Sequence, residues 1–180
     1  IAHIARYDPQ KDHACFINAA SILKKKMPNV HYLLCGENVT WKNCNIREMI
    51  FSFEMRDSFY LLGKRDDIPA ILSASDIVST SSSYGEAFPN IIGEAMLCKK
   101  PCVVTNVGDS ASIVGSSGVV VPPNDPEGLA TAWYNIINED IAVTIKPLYN
   151  AVIIFFDFPS FTKKVPIIDV NMQAPPIDNG

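Results

Sequence analysis

The segment spanning residues 81–96, read SSSYGEAFPNIIGEAM, carries the residues whose types and spacing best suit ligand-binding chemistry. A polar loop that contains a glycine leads directly into a predicted helix, and Pro89 lies near the first turn of that helix, where its missing N–H has no effect on hydrogen bonding. Free backbone N–H groups at Phe88, Asn90 and Ile91, together with the positive end of the helix dipole, would favour a phosphate group or a sugar oxygen. The sequence therefore predicts an anion-binding loop and helix start.

Two glutamates in this segment are candidates for binding hydroxyl groups. Glu86 lies in the loop and Glu94 lies in the helix, eight positions later. At a rise of about 1.5 Å per residue, Glu94 lies roughly one turn below the helix start, so the two carboxylates could hold different parts of one elongated ligand. The alternative is that Glu86 only interacts with the helix dipole and that Glu94 is a solvated helix residue. The neighbouring Gly85, Phe88 and Pro89 favour the binding interpretation.

Two cations near the start of the chain are candidates for binding a diphosphate. Arg6 follows the first predicted strand, and Lys11 begins the first predicted helix. A fixed guanidinium and a mobile ammonium can share the charge of a diphosphate, although both residues could equally be ordinary surface cations. The basic run Lys24 to Lys26 lies in the last turn of the same helix, where cations interact favourably with the helix dipole, so no ligand is assigned to it.

The elements that must position these residues follow a regular order. Short apolar runs alternate with helical patterns, which is typical of β-α units with a parallel sheet. Strands are predicted over 1–5, 30–35, 58–62, 76–80, 102–105 and 118–121, and helices over 11–27, 46–55, 66–74, 89–97, 110–114 and 126–138. We expect an α/β fold with a doubly wound parallel sheet, in which ligands bind beyond the carboxyl ends of the strands.

This order predicts one domain over residues 1–140. Residues 141–180 contain five prolines and no sustained helical or strand period, so they are expected to form an irregular tail. The chain opens inside a strand pattern, which predicts that the first strand is truncated and that the natural protein extends further upstream.

Composition narrows the class of protein. The chain has 180 residues, of which 48% are hydrophobic, enough for one ordinary core. A net charge of -4 argues against a nucleic-acid partner, and no apolar run approaches the roughly 20 residues that a transmembrane helix needs. Five cysteines without C-x-x-C spacing predict reduced thiols in the cytoplasm. The scattered histidines His3, His13 and His31 form no metal or catalytic set and are interpreted as structural or exposed.

Taken in order, these residues resemble the sequence pattern of glycosyltransferase family 4, also called group 1. The resemblance covers roughly residues 1–139 and rests on several short pieces, none of them specific alone: Arg6 with Lys11, Cys35-Gly36, Leu62-Gly63, the E-x7-E pair Glu86 and Glu94 within 85–96, and the segments 101–105 and 121–126. The sequence departs from the family where Val107-Gly108-Asp109 replaces a Gly-Gly pair and where Lys99-Lys100 replaces a glycine. The tail also lacks the family's closing helix.

The resemblance implies a Rossmann-like domain that forms the C-terminal, donor-binding half of a retaining GT-B glycosyltransferase. Such an enzyme transfers a sugar from a nucleoside diphosphate sugar to an acceptor, here a hexosyl transfer in glycan or polysaccharide biosynthesis, without a cofactor or metal ion. The partner would be an N-terminal acceptor-binding domain of the same protein, through which the cytoplasmic enzyme could associate with a membrane. This chain alone would then be inactive.

The resemblance also implies a role for each matching residue. Arg6 and Lys11 would bind the diphosphate and stabilise its charge during transfer, which is electrostatic catalysis. Glu86 would bind the sugar hydroxyls and contribute to catalysis, and Glu94 would bind the ribose. The backbone near Lys64 and Arg65 would lie at the base edge, and the backbone amides around Phe88, Pro89, Asn90 and Ile91 would contact the sugar and phosphate. Gly36 and Ala87 are further donor-binding positions. A non-catalytic nucleotide-sugar-binding module and a GT-B-like sugar-nucleotide epimerase remain as alternatives.

Overall fold

The computed structural model describes residues 1–138, so the irregular tail predicted over 141–180 lies outside the described residues. The strands are β1 (Ala2–Ile4), β2 (Tyr32–Cys35), β3 (Phe59–Leu61), β4 (Val78–Ser79), β5 (Cys102–Thr105) and β6 (Gly118–Val121). The helices are α1 (His13–Lys24), α2 (Cys44–Ser52), α3 (Ile68–Ser73), α4 (Asn90–Leu97), α5 (Ser110–Val114) and α6 (Pro126–Asn138). Every predicted strand and helix is present, and the predicted order is confirmed.

The six strands form one parallel sheet in the order β3-β2-β1-β4-β5-β6. The chain moves outward from β1 to β2 and β3, returns to β4 on the other side of β1, and then moves outward again. This reversal between β1 and β4 opens a crevice at the carboxyl ends of the two strands, where doubly wound folds bind ligands. The predicted doubly wound, Rossmann-like fold is therefore confirmed.

Each face of the sheet is covered by its own hydrophobic cluster. On one face, α1, α2 and α6 contribute fully buried side chains such as Phe16 and Trp133, whose ring centroids lie 4.9 Å apart. On the other face, α4 and α5 pack Ile92 and Val114 against the β5 residue Val104. Burial of each large apolar side chain contributes roughly 1.5–3 kcal/mol, so both layers hold the strand ends in fixed positions.

The first helix is shorter than the sequence predicted. Residues Pro9–Lys11 form a separate 3-10 turn, and Asp12 follows it in a left-handed conformation with φ 43°. The Asp12 carboxylate then accepts a hydrogen bond from the Cys15 N–H at 3.0 Å and caps α1. The predicted helix over 11–27 was wrong at its start because the Asp12 conformation separates Lys11 from α1. At its other end the helix stops at Lys24, before the chain turns toward β2.

Candidate functional site

The loops that follow β1 and β2 are held against each other at the sheet edge. Ala5 N–H donates to the Cys35 carbonyl at 2.8 Å, and Gly36 N–H donates to the Gly63 carbonyl at 2.9 Å. A Cβ atom at Gly36 would lie 2.1 Å from the Ala5 carbonyl oxygen, so only glycine permits this approach. The predicted donor-binding Gly36 thus fixes the backbone that leads into Arg6.

The serine run before Glu86 ties the β4–α4 loop to the rest of the site. Ser81 Oγ donates to the Lys11 carbonyl at 2.9 Å, and Thr105 Oγ1, at the end of β5, donates to the Ser82 carbonyl at 2.7 Å. Ser83 N–H donates to the Gln10 carbonyl at 2.9 Å. The loop is therefore anchored both to β5 and to the turn that carries Lys11.

Lys11 and Glu86, which are 75 positions apart, form an ion pair at the centre of this loop system. Lys11 Nζ donates to Glu86 Oε1, and Ser82 Oγ donates to the same oxygen at 2.5 Å. Their side chains are only 18% and 9% exposed. Oε2 of Glu86 accepts no hydrogen bond from any of residues 1–138, which leaves one carboxylate oxygen free for a ligand.

A cavity of about 250 Å³ lies at this point, between the ends of β1 and β4 and the start of α4. Its walls contain many of the predicted residues, namely Lys11, Glu86, Phe88, Pro89, Asn90 and Ile91. His3, Thr80 and Ser82 also contribute to the walls, although the sequence assigned no ligand to any of them. The structure thus brings one predicted cation, one predicted carboxylate and the predicted helix start together.

No side chain of residues 1–138 caps the start of α4. Pro89 occupies the N-cap position with φ -74° and ψ 95°, and it has no side-chain oxygen to offer. The backbone N–H groups of Asn90 and Ile91 find no acceptor among the residues that the structure describes. Helix starts of this kind attract anions through their free N–H groups and the dipole. The uncapped start of α4 therefore belongs to the cavity wall, and its role in binding an anion stays a prediction.

Glu94 lies apart from the cavity although it belongs to the same loop and helix. Its side chain is half-buried on α4, it is absent from the cavity wall, and no described residue donates a hydrogen bond to it. Burial raises the pKa of the Glu94 carboxyl above its ordinary value. The structure separates the two predicted carboxylates, as their spacing predicted, and leaves Glu94 without a partner in residues 1–138.

Arg6 also lies outside the cavity wall. It follows the wall residue Ala5, and its exposed guanidinium makes an ion pair with Asp8, with Nε 3.4 Å from Oδ2. The hydrogen bond from the Gln10 backbone and the Arg6 charge hold the pKa of the Asp8 carboxyl below its usual value. Arg6 is therefore exposed just outside the cavity wall, at a position that we call the rim.

The remaining predicted positions occupy the periphery. Lys64 is exposed, and Arg65 forms a two-pronged ion pair with Asp67, with Nε–Oδ1 at 2.7 Å and Nη2–Oδ2 at 2.6 Å. Both follow β3, two strands away from β1. Ala87 is exposed next to Glu86. The Arg65 side chain is thus held in an ion pair with Asp67. A role for the backbone of Lys64 and Arg65 in ligand binding stays a prediction.

Gly108 is a residue that sequence reasoning did not assign to the site. It adopts φ 55°, and a Cβ atom there would lie 2.0 Å from the Glu86 carbonyl oxygen. The next residue, Asp109, donates its N–H to the Ala87 carbonyl at 3.1 Å. The single glycine in Val107-Gly108-Asp109 was visible in the sequence, but its contact with the Glu86 backbone depends on the packing of two loops.

Two buried histidines lie next to each other, and one of them, His3, contributes to the cavity wall. His3 Nδ1 is 2.9 Å from the Ser79 carbonyl, and the His3 and His13 ring centroids are 4.8 Å apart. Burial lowers the pKa of His3 to about 4 and that of His13 to about 2, so both rings are neutral at physiological pH. Their burial agrees with the structural interpretation made from the sequence.

A larger cavity of about 510 Å³ lies between the start of α1 and α2. Asp8, Asp12 and Glu48 contribute to its walls, whereas neither Lys11 nor Glu86 does. Three carboxylates repel an anionic ligand, so the smaller cavity is the better candidate for binding a phosphate.

Residues 1–138 contain no group of three or more histidine, cysteine, aspartate or glutamate side chains placed to hold a metal ion. Within the same range, no helix has the length and apolar character needed to cross a membrane.

The comparisons with known proteins all point to the same protein family. A family model described as glycosyl transferases group 1 matches residues 1–139. The chain is 30% identical over 137 residues to a D-inositol 3-phosphate glycosyltransferase from Salinispora arenicola, an alignment that covers 70% of this chain and 30% of that protein. It is 27% identical over 110 residues to an N-acetyl-alpha-D-glucosaminyl L-malate synthase from Bacillus anthracis, covering 60% and 28% of the two proteins.

Among solved structures, the Anabaena protein HepE in complex with UDP-glucose matches with a TM-score of 0.72 and 29% identity. The match covers 85% of this chain and 42% of HepE. The chain therefore spans less than half the length of each of these three proteins.

Proposed function

Because this chain belongs to the group 1 glycosyl transferases, we propose that it forms the nucleotide-sugar-binding, C-terminal half of a retaining GT-B glycosyltransferase. The whole protein would transfer a hexosyl group from a nucleoside diphosphate sugar to an acceptor, in glycan or polysaccharide biosynthesis. Two facts support the ligand class: HepE is similar to this chain and was solved with UDP-glucose, and the cavity here combines a cation, a carboxylate and a helix start.

The observation that carries the proposal is the arrangement of Lys11 and Glu86 at the uncapped start of α4. The pair leaves Glu86 Oε2 without a partner in residues 1–138, and the free N–H groups of Asn90 and Ile91 belong to the wall of the same cavity. A diphosphate sugar offers an anion for the helix start and hydroxyl groups for the carboxylate. A free phosphate or a free sugar would match only one of these two features.

Lys11 and Arg6 would stabilise the diphosphate as the bond to the sugar breaks. A lysine ammonium has three N–H donors, and Glu86 takes one of them, so two remain for phosphate oxygens. The exposed Arg6 would close over the diphosphate from the rim, since a guanidinium suits two-pronged phosphate contacts. Together with the α4 dipole, these charges would stabilise the leaving group without a metal ion.

The remaining contacts follow from the position of each residue. Glu86 Oε2 would accept hydrogen bonds from the transferred sugar, and Glu94 would accept them from the ribose. Backbone groups at Gly36, Lys64 and Arg65 would lie near the base. The loop from Ala87 to Pro89 would close around the sugar and phosphate.

A non-catalytic binding module is a second candidate for the isolated chain, because it spans less than half the length of the similar glycosyltransferases. Transfer needs a second domain that brings the acceptor and excludes water from the cleft. We therefore expect the chain alone to bind nucleotide ligands without transferring sugar. The whole enzyme would work in the cytoplasm, with any membrane association made by the other domain.

Calorimetry with UDP and UDP-glucose tests the proposal. Glu86→Gln should weaken UDP-glucose and spare UDP, because only UDP-glucose carries the sugar. Glu94→Gln should weaken both ligands, because both carry the ribose. If Glu86→Gln weakens both equally or neither, Glu86 does not bind the sugar. If the wild-type chain binds neither UDP, UDP-glucose nor any other nucleoside diphosphate, the proposed ligand class is wrong.

A further inference from the structure

Ser82 differs from the adjacent Ser81 in what its side chain contacts. The Ser81 hydroxyl donates to the backbone carbonyls of Lys11 and Asp12, at 2.9 and 3.0 Å, and so holds the main chain. The Ser82 hydroxyl donates instead to a side-chain oxygen, Glu86 Oε1, at 2.5 Å. Ser82 is 2% exposed and contributes to the wall of the same cavity as Glu86. Its hydroxyl is therefore placed to influence a ligand through the Glu86 carboxylate.

The backbone of Ser82 is itself fixed to the sheet. Thr105 lies at the end of β5 and is fully buried, and its Oγ1 donates to the Ser82 carbonyl at 2.7 Å. Two consecutive hydrogen bonds thus connect β5 with the Glu86 carboxylate, one to the Ser82 carbonyl and one from the Ser82 hydroxyl. A serine hydroxyl has only the few staggered positions of χ1 once its backbone is fixed. The Glu86 carboxylate is therefore tied to a strand as well as to its own loop.

The two donors to Glu86 Oε1 differ in how firmly they can hold it. Lys11 carries its ammonium on a flexible four-carbon stem, and the same ammonium is proposed to bind the diphosphate. The Ser82 hydroxyl has one proton to donate, and Glu86 accepts it. Because both donors bind the same oxygen, rotation of the carboxylate would break both hydrogen bonds. This arrangement keeps Glu86 Oε2 available for a ligand.

We propose that Ser82 is a positioning residue that fixes the Glu86 carboxylate and thereby sets the preference of the site for a sugar-bearing donor over a plain nucleoside diphosphate. This inference rests on the proposed function, in which Glu86 binds the transferred sugar and Lys11 binds the diphosphate. Without the Ser82 hydroxyl, Lys11 alone would hold the carboxylate, which would lose more conformational freedom on binding a sugar hydroxyl. The contacts that serve the diphosphate do not depend on this hydroxyl.

The test measures the affinity of the full-length protein for UDP and for UDP-glucose by calorimetry, together with the unfolding temperature of each unliganded variant. Ser82→Ala should weaken UDP-glucose roughly tenfold, the effect of losing one charge-assisted hydrogen bond, and leave UDP affinity unchanged. Ser82→Thr keeps the hydroxyl and should retain the preference for UDP-glucose.

A double-mutant cycle determines whether Ser82 acts through Glu86. Glu86→Ala removes the carboxylate, so adding Ser82→Ala to that variant should cause no further loss of UDP-glucose affinity. A loss of the same size in both backgrounds would mean that Ser82 acts independently of Glu86, and it would overturn the positioning role.

Ser81→Ala is the matched control, because it removes one buried hydroxyl from the adjacent position of the same loop. Ser81 is 0% exposed, and its hydroxyl holds the backbone of Lys11, which is proposed to serve both ligands. Any loss of affinity in this variant should therefore be equal for UDP and UDP-glucose. A loss confined to UDP-glucose would show that any disturbance of the loop lowers sugar binding, and the inference about Ser82 would be wrong.

Other outcomes separate the inference from the proposed function. If Ser82→Ala leaves both affinities unchanged or weakens both equally, Ser82 does not position Glu86 for the sugar, and the proposed function stands. If Glu86→Ala leaves UDP-glucose affinity unchanged, the sugar-binding role of Glu86 is wrong, and the inference fails with it. A wild-type protein that binds no nucleoside diphosphate and no nucleotide sugar would overturn both.

Discussion

The starts of α1 and α4 lie on opposite sides of the same crevice and satisfy their backbone in opposite ways. At α1, the Asp12 carboxylate accepts from the Cys15 N–H, and Asp8 accepts from Gln10 in the preceding turn. At α4, Pro89 offers no side-chain cap, and Lys11 and Glu86 meet beside the open end. α1 is thus completed by its own sequence, whereas the Asn90 and Ile91 N–H groups at the start of α4 have no acceptor in residues 1–138, which agrees with the proposed ligand.

The largest expected effect is on ligand binding at the open helix start. Lys11→Ala removes the ammonium that is proposed to bind the diphosphate and leaves the Glu86 carboxylate without its cation in a cavity wall. A charge-assisted contact is worth about 1.5–3 kcal/mol, so UDP should bind roughly ten- to a hundredfold more weakly in calorimetry. Arg6→Ala should act in the same direction.

Lys25→Ala is the control for that change, because Lys25 is exposed at the end of α1 and distant in sequence from the cavity residues. It changes the net charge by the same amount and should leave UDP affinity unaltered. Equal losses from the lysine variants would mean that only net charge matters, and the contrast between the two helix starts would lose its functional meaning.

The next effect concerns the support beneath Glu86. Gly108→Ala would place a Cβ atom 2.0 Å from the Glu86 carbonyl oxygen, so the loop must move. We expect a loss of roughly 1–3 kcal/mol in the free energy of unfolding and a weaker affinity for UDP-glucose. Urea titration and calorimetry measure the two quantities.

Gly115→Ala is the control for Gly108→Ala, because it introduces backbone strain without a steric clash. Gly115 also has a positive φ, at 50°, but a Cβ atom there meets nothing within 4 Å. This variant should lose stability through strain alone and keep its affinity for UDP-glucose. Loss of affinity in both variants would show that general destabilisation, rather than the position of Glu86, weakens the ligand.

A smaller effect is expected at the closed helix start. Asp12→Ala removes the cap of α1 and should lower the free energy of unfolding by about 0.5–2 kcal/mol. UDP affinity should change little, because the cap faces the α1 backbone. Asp12→Asn keeps an oxygen at the cap and tolerates the left-handed conformation, so it should retain most of the stability. A loss of UDP affinity as large as that of Lys11→Ala would contradict the comparison.

The smallest effect is a pH dependence at Glu94. Burial raises the pKa of its carboxyl in the folded protein above the ordinary 4.5. Its contribution to stability is therefore complete below the unfolded pKa and is lost as the pH rises through the folded pKa. Glu94→Gln should be at least as stable as the wild type at neutral pH and should lack this decline. Urea midpoints between pH 4 and pH 7 measure it, and parallel curves would contradict it.

Sequence alone predicted the fold better than the site. The alternation of apolar runs and helical patterns is local, so all six strands and the helices between them were predicted, with errors only at ends such as Lys11, where Asp12 changes the backbone direction. The family pattern pointed to Lys11 and Glu86, and the structure brings them together. That His3 Nε2 and Thr80 Oγ1 have no hydrogen-bond partner in residues 1–138 could not be predicted, because it depends on which side chains pack around them.

Contacts between loops were also beyond the sequence. Gly108 and Glu86 are brought together by the packing of the loops after β5 and β4, and no local pattern encodes that distance. The same holds for Thr105 and the Ser82 carbonyl. Positions of this kind depend on the completed sheet.

In the ion pair between Lys11 and Glu86, the charges of the two cavity-wall side chains neutralise each other. A free phosphate ion finds a lysine whose charge is already neutralised, and drawing that lysine away would leave a poorly solvated carboxylate behind. A molecule that carries both an anion and hydroxyl groups can bind both members of the pair, the anion to Lys11 and a hydroxyl group to Glu86. Inorganic phosphate alone or free sugar alone would each satisfy one member of the pair, so a nucleoside diphosphate sugar should bind more tightly than either.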